Sequence, residues 1–184
     1  ARKQSLDERV EMAKNIARTK ENCLIWCDYN NESTALHKAI RESVEVKGSD
    51  TPEHKEKAMM GFASGDVKYL VTKPSICGFG MNWQNCHDMI FCGLSDSYEQ
   101  FYQAIRRCYR FGQKHEVNVH VIISEKEMNV LNNIKRKQAD HERMSAEMVK
   151  VMSESAKVEL FGQQRKKTDY IPEIAMEVPL WFPF

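Results

Sequence analysis

No apolar stretch in the sequence approaches the roughly 20 residues a membrane-spanning helix needs, and its six cysteines contain no CxxC pair. The opening Ala1-Arg2-Lys3-Gln4-Ser5 leads into a polar helix rather than the apolar core of a secretion signal. No membrane contact is expected, and the expected location is cytoplasmic. Cys23, Cys27, Cys77, Cys86, Cys92 and Cys108 sit in apolar runs, which points to buried reduced thiols rather than zinc or disulfides. Cys86-His87 is the one adjacent ligand-type pair, and one pair does not make a four-ligand site, so no metal site is expected. An excess of charge of one sign is missing as well: 27 basic residues face 26 acidic ones, a formal net charge of +1. That removes a chain-wide basic field and confines any polyanion contact to local clusters. Glycine and proline are sparse, 8 and 5 in 184 residues, so the chain is built from helices and strands more than from loops. Its length suits one domain with a sizeable core. Repeats and low-complexity tracts are absent too. The chain begins at Ala1 without an initiator Met, which suggests a processed product or a piece of something longer.

What is present is an alternation of elements. Ser5 with Glu8 forms a capping-box pattern before Leu6, Val10, Ala13 and Ala17 at helical spacing, so a helix of about 15 residues should open the chain. The apolar run Cys23–Cys27 reads as a buried strand ending in the loop Asp28-Tyr29-Asn30-Asn31. Ser33 should then cap a helix through Leu36 and Ile40, and Val44–Val46 is a short strand stopped by Gly48-Ser49-Asp50. Thr51-Pro52-Glu53 supplies a cap, a proline at the first helical position and an acid in the first turn, predicting a helix to about Phe62. Val67–Thr72, Met89–Cys92 and Val117–Ile123 complete the strands. Strands alternating with helices predict an α/β fold with a parallel sheet covered on both faces and functional loops at the strand C-terminal ends. From Glu125 to Phe161 no Gly or Pro interrupts, so one long helix or two should follow, with an apolar phase that shifts between Leu131/Ile134 and Met144/Met148/Val151. The last stretch carries Arg165-Lys166-Lys167 and then Pro172, Pro179 and Pro183 among apolar residues. The expected organisation is therefore a lobe over 1–124, a helical extension over 125–162, and a basic then apolar tail over 163–184.

Two segments can carry chemistry. In Tyr98–Gln113 (YEQFYQAIRRCYRFGQ), a continuous helix would set Gln103, Arg107 and Arg110 at relative angles of about 0°, 40° and 340°, on one narrow face. Tyr98, Phe101, Tyr102, Ile105, Cys108 and Tyr109 would take the packed side, with Gly112 closing the helix. Two guanidiniums one turn apart suit a polyanion, because each is a rigid fork of donors that stays charged. A solvated polar face is the plain alternative, but between Phe101 and His115 stand Arg106, Arg107, Arg110 and Lys114 with no acid to pair them. In Thr72–Asn85 (TKPSICGFGMNWQN), Gly78 and Gly80 follow a strand, where backbone can approach a phosphate or sugar with Thr72, Ser75 and Asn82 as hydrogen-bonding neighbours. A tight turn without a ligand satisfies the same pattern. His54, His87, His115 and His120 form no acid–base constellation.

Order and distance make the two segments jointly specific. The sequence resembles the second RecA-like lobe of superfamily 2 helicases and translocases, in particular the Swi/Snf-like branch and the related phage-type DNA helicases. That family carries a Gly-x-Gly-x-Asn segment, motif V, and then Gln-Ala-x-x-Arg-x-x-Arg-x-Gly-Gln, motif VI. Here these read Cys77-Gly78-Phe79-Gly80-Met81-Asn82 and Gln103-Ala104-Ile105-Arg106-Arg107-Cys108-Tyr109-Arg110-Phe111-Gly112-Gln113. Upstream, LIWCDYNN resembles the motif IV strand, and the likeness covers roughly residues 5 to 125, with motif VI the most specific part. The stretch Gly93–Gln100 stands where remodellers carry Asp-x-x-Trp-Asn-Pro, a form closer to the phage or prophage branch and pointing to a bacterial or phage-derived origin.

The resemblance implies a RecA-like fold and a part in ATP hydrolysis. Arg107 and Arg110 would be arginine fingers for the γ-phosphate, with Gln103 at the same cleft and Gly78, Gly80 and Asn82 shaping the adjoining loop. Asn30, Ser49, Lys73, Ser75 and Trp83 would lie along a nucleic-acid track, with DNA preferred over RNA. For Trp83 a place in the core is the competing reading. The chain has no Gly-x-x-x-x-Gly-Lys-Ser/Thr and no Asp-Glu-x-His, so ATP and Mg²⁺ would be held mainly by an N-terminal RecA-like lobe of the same protein, and this chain alone would be inactive. The competing class is a non-catalytic RecA-like module that binds nucleic acid or protein.

Overall fold

Short apolar runs become the strands of one sheet: β1 (Cys23–Trp26), β2 (Ser43–Glu45), β3 (Tyr69–Thr72), β4 (Asp88–Cys92) and β5 (Asn118–Ile122). The computed structural model of the protein describes residues 5–77 and 81–161. Gly78, Gly80 and the expected tail 163–184 lie outside the described residues. All strand pairs are parallel, in the order β2-β3-β1-β4-β5, with Leu24 opposite both Leu70 and Met89. β1, β3 and β4 are buried along their whole length, as parallel strands covered on both faces must be.

The helices are α1 (Leu6–Ala17), α2 (Asn30–Ala39), α3 (Pro52–Ser64), α4 (Pro74–Cys77), α5 (Tyr98–Ile105) and α6 (Met128–Phe161). The chain moves outward from β1 to β2 and then turns back through β3 to β4 and β5. Right-handed crossovers therefore put α2 on one face and α3, α4 and α5 on the other. One core cluster joins the sheet to Val10, Ala13, Ala17, Leu36 and Ile40 of α1, α2 and the residue after it. The other joins it to Ala58, Phe62, Cys77 and Ala104 of α3–α5, around Trp26 and Trp83. The expected α/β fold with a parallel sheet is what forms, followed by one long helix. By its contacts the chain divides into residues 1–140 and 141–184. In the first unit Ile134 is buried; in the second, Met144, Met148 and Val151 are exposed. Among the described residues no helix is long and apolar enough to cross a membrane, and no group of three or more His, Cys, Asp or Glu is placed to hold a metal ion. All six cysteines are buried and free, and burial pushes Cys27 up to about 12.

Three helix ends differ from the sequence reading. Ser5 holds the N-cap position of α1 but its side chain makes no cap bond; its hydroxyl accepts from Arg9 Nε at 3.3 Å. Arg9 runs into the interior instead, where it meets Glu32 at 2.9 Å and the Cys92 carbonyl at 3.1 Å. Ser33 is not the cap of α2 but lies inside its first turn. The helix starts earlier because the Glu32 carboxylate accepts from the backbone N–H groups of Asp28 and Tyr29, both at 3.2 Å. Thr51 does cap α3, its hydroxyl accepting from His54 N–H, and Gly65 closes that helix at φ 91°. The third difference, at α5, falls in the site itself.

Candidate functional site

Tyr98 to Ile105 is helical, begun by Ser97, whose hydroxyl accepts from Gln100 N–H. The predicted continuation through Arg110 does not form. After Arg106 the backbone tightens: Arg107 N–H donates to Ala104, Cys108 N–H to Ile105 and Arg110 N–H to Cys108. The physical reason is tertiary. Trp83 N–H donates to the Arg107 carbonyl at 3.0 Å, giving that carbonyl a partner outside any helix. Gln103 is thus exposed on α5 while Arg107 and Arg110 lie beyond its end, so no single helix face unites the three. Gly112 does not close the helix either. It has φ 94° in the turn that follows, with its α-carbon against the Gln84 amide.

The two arginines converge all the same. Nη1 of Arg107 and Nη1 of Arg110 each donate to the Met81 carbonyl at 3.4 Å, at the long end of hydrogen bonding. Arg107 is 7% exposed, and its Nε is buried with no hydrogen-bond partner. Burial first, and then the charge of Arg110, hold the Arg107 guanidinium below its ordinary value. Among the described residues neither arginine has a carboxylate partner in an ion pair. Two like charges sharing one neutral acceptor, with a donor unmatched, form an arrangement that an anion would stabilise. Arg106 is not part of it; its guanidinium lies over the Tyr109 ring, 5.8 Å from the centroid.

A different set of residues gathers at the C-terminal ends of the strands. Asn30 follows β1, Ser49 follows β2, and Lys73 and Ser75 follow β3. Lys73 Nζ donates to Asn30 Oδ1 at 2.6 Å. Lys73 and Ser75 line a cavity of about 560 Å³ together with Asp28, Tyr29, Asp96 and Glu127. Strand order reverses around β1, so this is the crevice where open α/β sheets place ligands. Ser49 is exposed on its own loop.

Trp83 corrects an expectation. It is fully buried, edge-on to Phe62 at 5.5 Å and donating its indole N–H to the Met59 carbonyl. A ring with no open face cannot stack on a base, so Trp83 is a core residue. Asn82 beside it is exposed. No local pattern singles out Tyr29, which is 52% exposed at the cavity. The same holds for Gln84, whose side chain, with that of Gln113, ties the loop after Met81 to the arginine segment. A polar amide directly after a turn glycine was the available signal for Gln113.

Comparison with known proteins agrees with this architecture. Residues 8–112 match the family described as the Helicase conserved C-terminal domain. The RNA polymerase-associated protein RapA of Pasteurella multocida (strain Pm70) is 26% identical over 129 residues, covering 66% of this chain and 13% of that protein. The chain thus spans only a small part of that relative's length. Among solved structures, the C-terminal part of the Fun30 ATPase domain superposes with a TM-score of 0.62 at 20% identity, over 68% of this chain and 45% of that one. The C-terminal domain of the DEAD-box protein Dbp5 gives 0.63 at 14% identity, over 73% and 80%. At these identities the two structures speak to the fold.

Proposed function

Because the chain belongs to the helicase conserved C-terminal domain family, as the C-terminal lobe of a superfamily 2 helicase, we propose that it supplies arginine fingers for ATP hydrolysis and one half of a DNA track. The observation that carries this reading is the arginine pair: two guanidiniums on one carbonyl, with Arg107 Nε buried and unmatched. Phosphoryl transfer passes through a loose, in-line transition state whose charge spreads over the equatorial oxygens. A guanidinium delivered from outside the phosphate loop stabilises that charge. Arg110, exposed, is the group that reaches the γ-phosphate; Arg107, buried beside it, holds the local field positive. Gln103, Gly78, Gly80 and Asn82 border the same cleft in this reading.

The phosphate loop and the Mg²⁺ ligands belong to an N-terminal RecA-like lobe of the same protein, since this sequence has neither motif. That lobe would hold the Mg²⁺, whose chemistry would be charge neutralisation at the nucleotide phosphates. The likeness to RapA supports the Swi/Snf-like branch, and the phage-type Gly93–Gln100 stretch supports a bacterial or phage-derived protein acting in the cytoplasm. Asn30, Ser49, Lys73 and Ser75 would meet the backbone of the nucleic acid. Among the described residues Lys73 is the single cation lining the cavity, which also holds Asp28, Asp96 and Glu127, so phosphates would rest on the rim rather than enter.

Residues 1–184 alone are expected to show no ATP turnover above background, with or without DNA. The full-length protein should hydrolyse ATP in a DNA-dependent way. Robust turnover by the isolated chain, measured by phosphate release, would overturn this reading. Replacing Lys73 by Ala in the full-length protein should weaken DNA binding to a similar extent across sequences and reduce the slope of log affinity against log salt by about 1. An unchanged slope in a fluorescence-anisotropy titration would remove Lys73 from the track.

A further inference from the structure

The stretch from Arg106 to Gly112 keeps only isolated helical bonds, Arg106 N–H to Tyr102 and Tyr109 N–H to Ile105, yet it must hold two guanidiniums in register. Its carbonyl groups are taken from across the chain. Trp83 N–H binds the Arg107 carbonyl at 3.0 Å, and the Gln84 side-chain amide donates to the Phe111 carbonyl. The third group, the Cys108 carbonyl between the two arginines, accepts from Gln113 Nε2 at 3.2 Å.

Gln113 does more than fill that one acceptor. The same Nε2 lies 3.1 Å from the Gln84 carbonyl and 3.2 Å from the Cys86 carbonyl, while Oε1 accepts from His115 N–H at 3.0 Å. Three carbonyl oxygens around one amide nitrogen leave no choice of orientation, since the flipped amide would set oxygen against oxygen. Two N–H bonds serve three acceptors, so at least one is shared. The acceptors belong to three peptide units on two segments, 84–86 and 108, which also meet through Trp83, the Gln84 side chain and the hydrogen bond between the Cys86 and Cys108 thiols. Gly112 makes this possible: at φ 94° it turns the chain back, and a Cβ there would stand 3.4 Å from Gln84 Nε2. Arg110 in turn is linked to the same point, because its N–H donates to the Cys108 carbonyl.

We propose that Gln113 is the positioning residue of the arginine pair, fixing the Arg107–Arg110 segment against the 84–86 turn through its three-carbonyl contact. The inference rests on the arginine-finger reading and adds to it the side chain through which the fingers are held. Every hydrogen bond of the Gln113 side chain described above is to backbone, so in this inference it binds neither nucleotide nor DNA. It acts on the orientation of groups that do, and misplacement by about 1 Å at such a site can cost on the order of 10²-fold in rate.

The test uses the full-length protein with saturating DNA and compares Gln113→Met, Arg110→Ala and the double variant. Methionine keeps the length of the side chain and removes both donors without adding charge. We expect Gln113→Met to lower kcat by about 10- to 100-fold with KM for ATP within about threefold. The double variant should fall short of the product of the two single effects, because positioning a finger matters less once it is gone. An unchanged kcat for Gln113→Met, or a strictly multiplicative double variant, overturns the inference while leaving the fingers standing. An unchanged kcat for Arg110→Ala overturns the finger reading itself and the inference with it. Should Gln113→Met fail to fold by circular dichroism, Gln113→Asn keeps the amide but draws it back one methylene from the three carbonyls: a lowered kcat at constant KM supports the inference, and an unchanged kcat refutes it.

Discussion

Replacing Arg110 by Ala in the full-length protein is expected to lower DNA-stimulated ATP turnover by about 10³-fold or more, the scale on which arginine fingers act. Affinity for DNA should stay within about threefold, because the residue is assigned to the transition state and not to the track. Arg110 is the cleaner target of the two arginines. It is exposed, and its removal strands no buried group, whereas Arg107 is 7% exposed and its loss would open the core side of the frame. Arg110→Lys should recover little, since an ammonium keeps the charge but not the planar fork. Steady-state phosphate release and DNA anisotropy on the same preparations decide the matter. The opposite pattern, lost DNA binding with turnover intact, would identify a basic binding module in place of a catalytic lobe.

Glu32→Ala should destabilise the fold by about 3–5 kcal/mol, the scale for removing one partner of a buried ion pair. Arg9 and Glu32 are 3% and 2% exposed and lie 2.9 Å apart. Without Glu32 the guanidinium keeps the Cys92 carbonyl and the Ser5 hydroxyl as acceptors but loses the Glu32 carboxylate. The same change removes the acceptor for the Asp28 and Tyr29 N–H groups, so the start of α2, which carries Asn30, should loosen as well. Urea unfolding followed by circular dichroism reads the first effect. The pair Arg9→Met with Glu32→Leu should restore much of the stability, because apolar side chains of similar volume often replace a buried ion pair without loss. A single variant within 1 kcal/mol of the parent, on the scale of ordinary surface changes, would show that the pair contributes little.

The strands were legible because each is a short apolar run between turn residues, and the helix after Thr51-Pro52 because cap and proline act locally. Less legible were features set by distant partners. Ser5 and Glu8 match a capping box, yet the demand to bury Arg9 against Glu32 and Cys92 prevails. Periodicity placed Arg107 and Arg110 together on a helix that in fact stops at Ile105. The two still meet, but over a carbonyl contributed by Met81, 26 and 29 residues away in sequence. Nothing in the local pattern announces such a contact. Trp83 shows the same limit in reverse. A tryptophan in a polar loop looks available for stacking, and only the packing of Trp26 and Phe62 around it reveals a core position.

The Met81 carbonyl also determines what genetics can see. Both guanidiniums lean on a peptide oxygen, and every one of the twenty residues that could stand at position 81 supplies that same oxygen. A saturation scan of Met81 would therefore report on how its thioether packs and remain silent about its contact with the arginines. Only chemistry that alters the backbone itself, such as an ester in place of the amide at the following peptide bond, would weaken that acceptor and expose the dependence of both guanidiniums on it.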